Sequence, residues 1–260
     1  MGTILPLGEH AIRQSSPHRA RGAKFRKVTL DTSMGSELDR AEIAAMRRSY
    51  SEAGMGPLSD NPFQLFNRWL KEAAENVVIV EANAMVLSTV DHEGEITSRT
   101  VLLKDISEAG FTFFTHYSSQ KGRAIHSEPH VALLFPWYAM ERQVSISGIA
   151  QKVSREESEQ YFSSRPWSHQ IGAWASRQSE PLSSREELEG RWKSAAEKWP
   201  EGTQVPTPSE WGGYRVLPRR IEFWQGRYSR LHDRVQYRRH LEGLDDSFDI
   251  GEWEITRRYP

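Results

Sequence analysis

Four segments of the chain place cationic and hydroxyl side chains at spacings that suit anion binding. The first, at 99–104, reads Arg-Thr-Val-Leu-Leu-Lys and has the composition of a strand. On a strand, Arg99 would share a face with Val101 and Leu103, whereas Lys104 would face the opposite side. Such a strand offers cations to anions on both faces. Two solvated strand ends explain the same residues, and this segment alone favours that ordinary interpretation.

The second segment, residues 114–122, is typical of a strand that ends in hydroxyl groups and then enters a short helix. Thr115, Lys121 and the backbone N–H groups of the first helical turn would converge there. A helix N-terminus with such groups is a natural phosphate seat. An ordinary capped turn fits equally well, and the segment alone does not decide between the two.

The third segment places Tyr161, Arg165 and Ser168 around the end of a helix, next to Pro166. Arginine and hydroxyl groups donate hydrogen bonds to phosphate oxygens, so this segment suits a second phosphate. The competing interpretation is that Arg165 caps the C-terminus of its own helix, which is the commoner use of such a residue.

The fourth segment, residues 223–234, contains Arg230, His232 and Arg234 at alternate positions. On a strand these three share one face, and their mutual repulsion then calls for an anion or an electron-rich ring. A surface stripe neutralised by Asp233 and Glu222 is the alternative. It is less favoured because Asp233 would point to the opposite face.

The remaining pattern predicts the elements that must position these segments. Capping signals and helical spacing predict helices over 36–54, from 60 through 73, over 154–161 and over 183–199. Strands are predicted at 84–90, 96–103, 111–115, 131–135, 144–153, 214–216, 221–224, 235–238 and 253–256. Many short strands with few helices indicate a mainly β fold, a closed or nearly closed antiparallel barrel with peripheral helices. We expect one domain over residues 36–260.

Composition excludes several other classes of protein. The net charge of -1 argues against a dedicated nucleic-acid binder, and the absence of cysteine excludes disulfides and thiolate metal sites. No Gly-rich dinucleotide fingerprint follows a strand, and no apolar run approaches the roughly 20 residues of a membrane helix. We therefore expect a cytoplasmic protein without a bound metal. The basic residues 1–35 are typical of a disordered tail, with an organelle transit peptide as the alternative.

Beyond these general features, a series of motifs follows one another in a fixed order. They are Arg-Thr-Val-Leu-Leu-Lys at 99–104, Glu-Arg-Gln at 141–143, Tyr-Phe-Ser-Ser-Arg-Pro at 161–166, Gln-Ile-Gly-Ala at 170–173, Gln-Ser at 178–179, Trp-Gly-Gly-Tyr at 211–214, Glu-Phe-Trp-Gln-Gly at 222–226 and Arg-Leu-His-Asp-Arg at 230–234. Each motif is weak alone, but the ordered set resembles the pyridoxamine 5′-phosphate oxidase family from about Met46 to Pro260. The resemblance implies an FMN-binding split β-barrel that forms a homodimer and holds the flavin between subunits. It also implies oxidation of pyridoxine 5′-phosphate and pyridoxamine 5′-phosphate to pyridoxal 5′-phosphate, with molecular oxygen as acceptor.

Carried over position by position, the resemblance implies roles for individual residues. The implied flavin site comprises Arg99, Thr100, Val101, Leu102, Leu103, Lys104, Phe114, Thr115, Gln120, Lys121, Gln143, Gln178, Ser179, Trp224 and Arg234. The implied substrate site comprises Arg47, Tyr50, Lys104, Tyr161, Arg165, His169, Arg230 and His232, of which Arg230 and His232 are expected to be the catalytic pair at the pyridine ring.

The sequence departs from the family pattern at two positions. Gln120 stands where the family often has an arginine beside the flavin phosphate, and His169 stands where a phosphate-binding serine is expected. The second departure leaves open whether Ser168 or His169 contacts the substrate phosphate.

Two other functions remain to be weighed. One is a flavin or deazaflavin reductase on the same barrel, and the other is a non-enzymatic module that binds flavin or haem. The residues expected to hold a pyridoxal phosphate, Tyr161, Arg165 and the 230–234 segment, argue against both because neither function requires them.

Overall fold

The computed structural model describes residues 40–46, 49–244 and 247–260. The chain divides into two units, residues 1–47 and 48–260. In the first unit, Arg40–Ala45 form helix α1. The predicted tail at 1–35 lies outside the described residues, and the expected single domain over 36–260 stays a prediction.

The second unit contains five helices and eleven strands in the part of the chain that the structure describes. The helices are α2 (Pro62–Glu75), α3 (Gln120–Ser127), α4 (Arg155–Ser164), α5 (Trp167–Ala175) and α6 (Arg185–Lys198). The strands are β1 (Ala84–Val90), β2 (Ile96–Leu102), β3 (Asp105–Ser107), β4 (Gly110–His116), β5 (His130–Trp137), β6 (Arg142–Lys152), β7 (Trp211–Gln225), β8 (Asp233–Arg238), β9 (Leu241–Leu244), β10 (Ser247–Ile250) and β11 (Glu254–Arg258).

Nine of these strands form one antiparallel sheet, and seven of the nine follow the order β11-β8-β7-β6-β5-β1-β2. Strand β4 pairs with the first half of β7 and carries β3 at its other edge, whereas β8 pairs with the second half of β7. Strands β9 and β10 form a separate hairpin. The sheet curls into a half-barrel with helices at its periphery, which confirms the predicted mainly β, split-barrel class.

A bulge in the longest strand explains why the sequence predicted two strands where there is one. Gly148 of β6 pairs with Pro218, but its neighbour Ser147 pairs with Arg220, so β7 contains one extra residue at Arg219. The extra residue shifts the inward-facing positions of β7 from even to odd numbers. A Cβ atom on Gly148 would lie 2.0 Å from the carbonyl oxygen of Leu217, so the two strands approach closely there.

Helix α2 supplies one side of the core. Pro62 occupies its first turn, and the Asn61 side chain caps it by accepting a hydrogen bond from the N–H of Phe63. Leu65, Phe66 and Trp69 recur at helical spacing and are fully buried against the sheet, as the apolar spacing predicted.

Two helices differ from expectation. The helix predicted over 36–54 is described only at Arg40–Ala45, and residues 49–54 are not helical. Its extension to Gly54 is wrong because the backbone of Ser51 pairs with Glu141 and Tyr228 instead of with a helical turn. Helix α5 was not predicted, because its first residue directly follows Pro166 and it spans only 9 residues.

Among the described residues, no helix has both the length and the apolar character needed to cross a bilayer.

The bulge provides a test of the packing. We expect Gly148→Ala to lower the free energy of unfolding by about 1–3 kcal/mol, because the added methyl group collides with the Leu217 carbonyl. The matched control is Gly190→Ala in α6, where a Cβ atom meets nothing within 4 Å. That change should raise stability by about 0.5–1 kcal/mol. Urea denaturation of both variants measures the difference, and equal midpoints would contradict the assigned bulge.

Candidate functional site

A cavity of about 730 Å³ lies where β2, the end of β4 and the helices α3, α4 and α5 meet. Twelve of the residues predicted for the flavin and substrate sites line it. They are Arg99, Thr100, Val101, Leu102, Lys104, Phe114, Thr115, Lys121, Tyr161, Arg165, His169 and Gln178. The first three of the four segments singled out from the sequence therefore come together at one place.

The cavity lining is cationic. Arg99, Lys104, Lys121 and Arg165 all reach it, and none of the described residues that line it is Asp or Glu.

Arg99 and Lys104 were expected on opposite faces of a strand, yet both line this cavity. They do so because β2 is an edge strand that ends at Leu102, before Lys104.

Lys121 is the most deeply placed of these cations. Ser119 caps α3 and holds Lys121 in the first helical turn, where its side chain is buried. Its ammonium donates to the Gln178 Oε1 at 2.9 Å, and Thr115 Oγ1 donates to the same oxygen at 2.9 Å. Burial, and then the charge of Arg99, lower the pKa of Lys121 to about 8. A bound anion would favour its protonated form.

Arg165 lies on an aromatic wall. Its guanidinium carbon is 4.9 Å from the centroid of Trp211, and the rings of Phe114 and Tyr161 stack at 4.0 Å beside it. The Arg165 side chain does not cap α4, and its buried Nη1 has no hydrogen-bond partner among the described residues. Burial lowers the pKa of Arg165. The guanidinium thus retains donor capacity that an anion can use.

The N-terminus of α5 also reaches the cavity. Ser168 and His169 lie in its first turn and line the cavity together, and the Pro166 at the N-cap offers no side-chain acceptor. The helix therefore presents backbone N–H groups and the positive end of its dipole. The structure brings both residues to the site and leaves open which one contacts a phosphate.

Sequence reasoning gave no role to several residues that line the cavity. His116 is buried there, and its pKa is lowered by burial, by Arg165 and by Lys121. Trp211 stands opposite His116 in the β4–β7 pairing. The Trp-Gly-Gly-Tyr motif at 211–214 was the available signal for Trp211, and the Gln-Ile-Gly-Ala motif at 170–173 was the signal for Gly172 and Ala173. Ser176, the C-cap of α5, belonged to no motif.

Some predicted residues do not line the cavity. Leu103 is buried in the hydrophobic core, whereas the side chains of Gln120 and Ser179 are exposed to solvent. Arg47 lies outside the described residues.

The other predicted residues form a second group at the far ends of β6, β7 and β8. Trp224 pairs with Gln143 on one side and with Arg234 on the other. The His232 ring lies 4.7 Å from Trp224 and 5.3 Å from Tyr50, centroid to centroid. We call Tyr50, Gln143, Trp224, Arg230, His232 and Arg234 the ring cluster.

The predicted common strand face of Arg230, His232 and Arg234 is wrong. Strand β8 begins at Asp233, and Arg230 ends a 3-10 turn with a left-handed φ of 60°. Arg234 pairs with Glu222 at 2.8 Å, the neutralising partner that the alternative interpretation proposed. The turn breaks the two-residue period, so alternation along the sequence does not translate into a shared face.

Comparisons with known proteins agree with this geometry. A family profile described as pyridoxamine 5′-phosphate oxidase matches residues 70–198, and one described as the pyridoxine 5′-phosphate oxidase C-terminal dimerisation region matches 211–260. The pyridoxine/pyridoxamine 5′-phosphate oxidase of Rubrobacter xylanophilus is 50% identical over 206 residues, covering 78% of this chain and 94% of that protein. The oxidase of the same name from Streptomyces avermitilis is 44% identical over 222 residues, covering 84% and 96%.

Two solved structures resemble the fold. The structure of PhzG from Burkholderia lata in complex with tetrahydrophenazine-1-carboxylic acid has a TM-score of 0.71 at 28% identity, covering 82% of this chain and 100% of that chain. A pyridoxamine 5′-phosphate oxidase-related, FMN binding protein from Nostoc punctiforme has a TM-score of 0.59 at 15% identity, covering 78% and 100%.

The curled antiparallel sheet with peripheral helices places the fold in the class of split β-barrels. Within that class, the relatives and both family profiles decide the assignment. The chain belongs to the pyridoxine/pyridoxamine 5′-phosphate oxidase family. This is a family of oxidoreductases, and membership of it implies a flavin cofactor.

The described residues fit a flavin phosphate. Lys121 is buried without a carboxylate partner among the described residues, and the cavity is large enough for a ligand of several rings. A phosphate would supply the counter-charge that the lining itself does not contain.

The lowered pKa of Lys121 predicts a pH dependence of anion binding. Below about pH 8 the Lys121 ammonium is already protonated in the free protein. Above that pH the amine must take up a proton when the anion binds, so the affinity for the anion should fall by up to about tenfold for each unit by which the pH rises. Titration calorimetry with riboflavin 5′-phosphate as the probe measures this fall. Lys121→Gln should bind more weakly at pH 7 and show no fall above pH 8, whereas the exposed Arg123→Gln should keep the wild-type profile. A fall of the same size in Lys121→Gln would contradict the assignment.

Proposed function

We propose that this protein is an FMN-dependent pyridoxine/pyridoxamine 5′-phosphate oxidase that produces pyridoxal 5′-phosphate. The alcohol substrate gives the aldehyde directly, and the amine gives an imine that water hydrolyses with release of ammonia. The observation that carries the proposal is the cavity that joins four cations to an aromatic wall without an acidic residue among its described lining. FMN, when bound, would supply a two-electron acceptor for the hydride that leaves C4′, with molecular oxygen as the final acceptor and hydrogen peroxide as its product.

The chain itself contributes binding and orientation. Arg99, Thr115 and Lys121, with Gln178, would hold the flavin phosphate, whose dianion matches their charge. Lys104, Tyr161 and Arg165 would hold the 5′-phosphate of the substrate. Two anchored phosphates fix two flat rings relative to each other, and this placement lowers the entropic part of the barrier.

The ring cluster supports a homodimer. Residues expected at the pyridine ring, Arg230 and His232, do not line the cavity that would hold the phosphates. The C-terminal region that contains them matches the dimerisation region of the family. In the proposed homodimer, the ring cluster of one subunit completes the cavity of the other, and two equivalent sites result.

Oxygen consumption tests the proposed function. Wild-type protein loaded with FMN should consume oxygen with pyridoxine 5′-phosphate and much less with unphosphorylated pyridoxine, because the cationic cavity binds the phosphate. Arg165→Ala should raise the Michaelis constant for the phosphorylated substrate by about tenfold or more, which corresponds to the roughly 1.5–3 kcal/mol of a charged hydrogen bond. Arg185→Ala, an exposed arginine outside this cavity, is the control. Substrate-dependent flavin reduction without oxygen uptake would instead indicate a reductase.

The N-terminus of α5 provides a second test. We expect Ser168 to contact the substrate phosphate, so Ser168→Ala should weaken pyridoxal 5′-phosphate binding by roughly 0.5–1.5 kcal/mol. His169→Ser should change the affinity by less than about twofold, since a serine at that position adds a hydroxyl that the family pattern already accommodates. Absorbance titration with pyridoxal 5′-phosphate measures both. A larger loss in His169→Ser than in Ser168→Ala would assign the contact to the imidazole.

A further inference from the structure

Residues 50–54 belong to neither a helix nor a strand, and we call them the entry segment. Ser51 attaches this segment to Glu141 and to the loop after β7. The N–H and the Oγ of Ser51 both donate to Glu141 Oε2, at 2.9 Å and 2.7 Å. The Ser51 carbonyl accepts a hydrogen bond from the N–H of Tyr228 at 3.2 Å. Ser51 is thus held from two sides.

Glu141 is placed for this role by an unusual backbone conformation. It lies in the left-handed region, with φ of 55°, between the 3-10 turn Tyr138–Met140 and β6. A non-glycine residue is uncommon there and requires surrounding contacts to hold it. The Glu141 carbonyl supplies one, since it accepts from the N–H of Gly226 at 2.7 Å. The same residue therefore joins β6, the loop after β7 and the entry segment.

The attachment sets the position of Tyr50. Its ring packs edge-on against Trp224 at 5.7 Å and against His232 at 5.3 Å. A Cβ atom on Gly226 would lie 2.9 Å from the Tyr50 ring, so the fit leaves no room for a side chain there. A shift of the entry segment would move the ring that packs on the imidazole.

His232 is constrained from its other side as well. Its Nδ1 accepts a hydrogen bond from the N–H of Arg227 at 3.0 Å, so the neutral ring carries its proton on Nε2. Burial and the nearby Arg230 lower the pKa of His232, which favours this neutral form. The imidazole then presents one defined donor.

We infer that Glu141 is a positioning residue, which holds Tyr50 against His232 through the hydrogen bonds of its carboxylate to Ser51. The inference rests on the proposed function, in which His232 contacts the pyridine ring of the substrate. Glu141 itself need not touch substrate or flavin, because it acts through the entry segment.

The test compares Glu141→Ala, Glu141→Gln, Ser51→Ala and the double variant Ser51→Ala/Glu141→Ala in the FMN-loaded protein. Glu141→Ala should raise the Michaelis constant for pyridoxine 5′-phosphate or lower turnover by about tenfold while the FMN dissociation constant stays within about twofold. Glu141→Gln retains an acceptor oxygen and should recover most of the loss. The double variant should be no worse than Glu141→Ala, because both changes break one interaction.

Hydrogen exchange separates this inference from the proposed function. The amides of Ser51 and Tyr228 should lose protection in Glu141→Ala and keep it in Glu52→Gln, a matched charge removal at an exposed neighbour. Unchanged exchange in Glu141→Ala would overturn the attachment. Faster exchange with unchanged kinetics would overturn the positioning role. If Glu141→Ala exchanges faster but the wild-type protein has no oxidase activity, the result would count against the proposed function alone.

Discussion

The arrangement of positive charge without a counter-charge is the constraint on which the rest of the site depends. Four cationic side chains reach one cavity, and burial makes their repulsion stronger than it would be in water. Burial is the first cause of the lowered pKa values of Lys121 and His116, and the neighbouring positive charges lower both further. Neutral acceptors make this arrangement tolerable, among them the Gln178 amide oxygen, which accepts from Lys121, and the Thr89 hydroxyl, which accepts from Arg99. The N-termini of α3 and α5 add further positive potential. An anionic ligand removes the repulsion, so ligand binding and local stability are linked.

Much of the fold and of this cavity could be predicted from the sequence because the underlying signals are local. Alternating burial in β1, β5 and β6 follows the two-residue period that the strands were predicted from. The segments around Arg99, Lys121 and Arg165 each contain their own cation and hydroxyl groups, and all three reach the cavity. By contrast, Trp211 and His116 are brought to it by the pairing of β4 with β7, which joins residues about a hundred positions apart. No local pattern contains that register.

The errors have an equally physical origin. Alternation along 230–234 predicts a strand face only if every residue is extended, and the left-handed φ angles of Ser229 and Arg230 break that condition. The helix predicted up to Gly54 satisfied capping and length rules, but the carboxylate of Glu141, 90 residues away in the sequence, binds the Ser51 amide instead. In the first case a local turn breaks the two-residue period, and in the second a tertiary interaction outweighs a helix propensity of a few tenths of a kcal/mol per residue. The domain boundary and the individual roles of the site residues stay predictions.

The separation of the ring cluster from the cavity has a consequence for assembly. The loop that carries Arg230 also exposes Tyr228 and Leu231, at 62% and 70%, although both are large apolar side chains. Exposed apolar groups beside functional residues are typical of a surface that another subunit covers. In the proposed homodimer a two-fold axis makes both contacts equivalent, so the two sites are completed by the same association event. Because a ligand held between subunits binds the dimer and not the separated chains, flavin would then stabilise the dimer by mass action, and dissociation would release flavin from both sites.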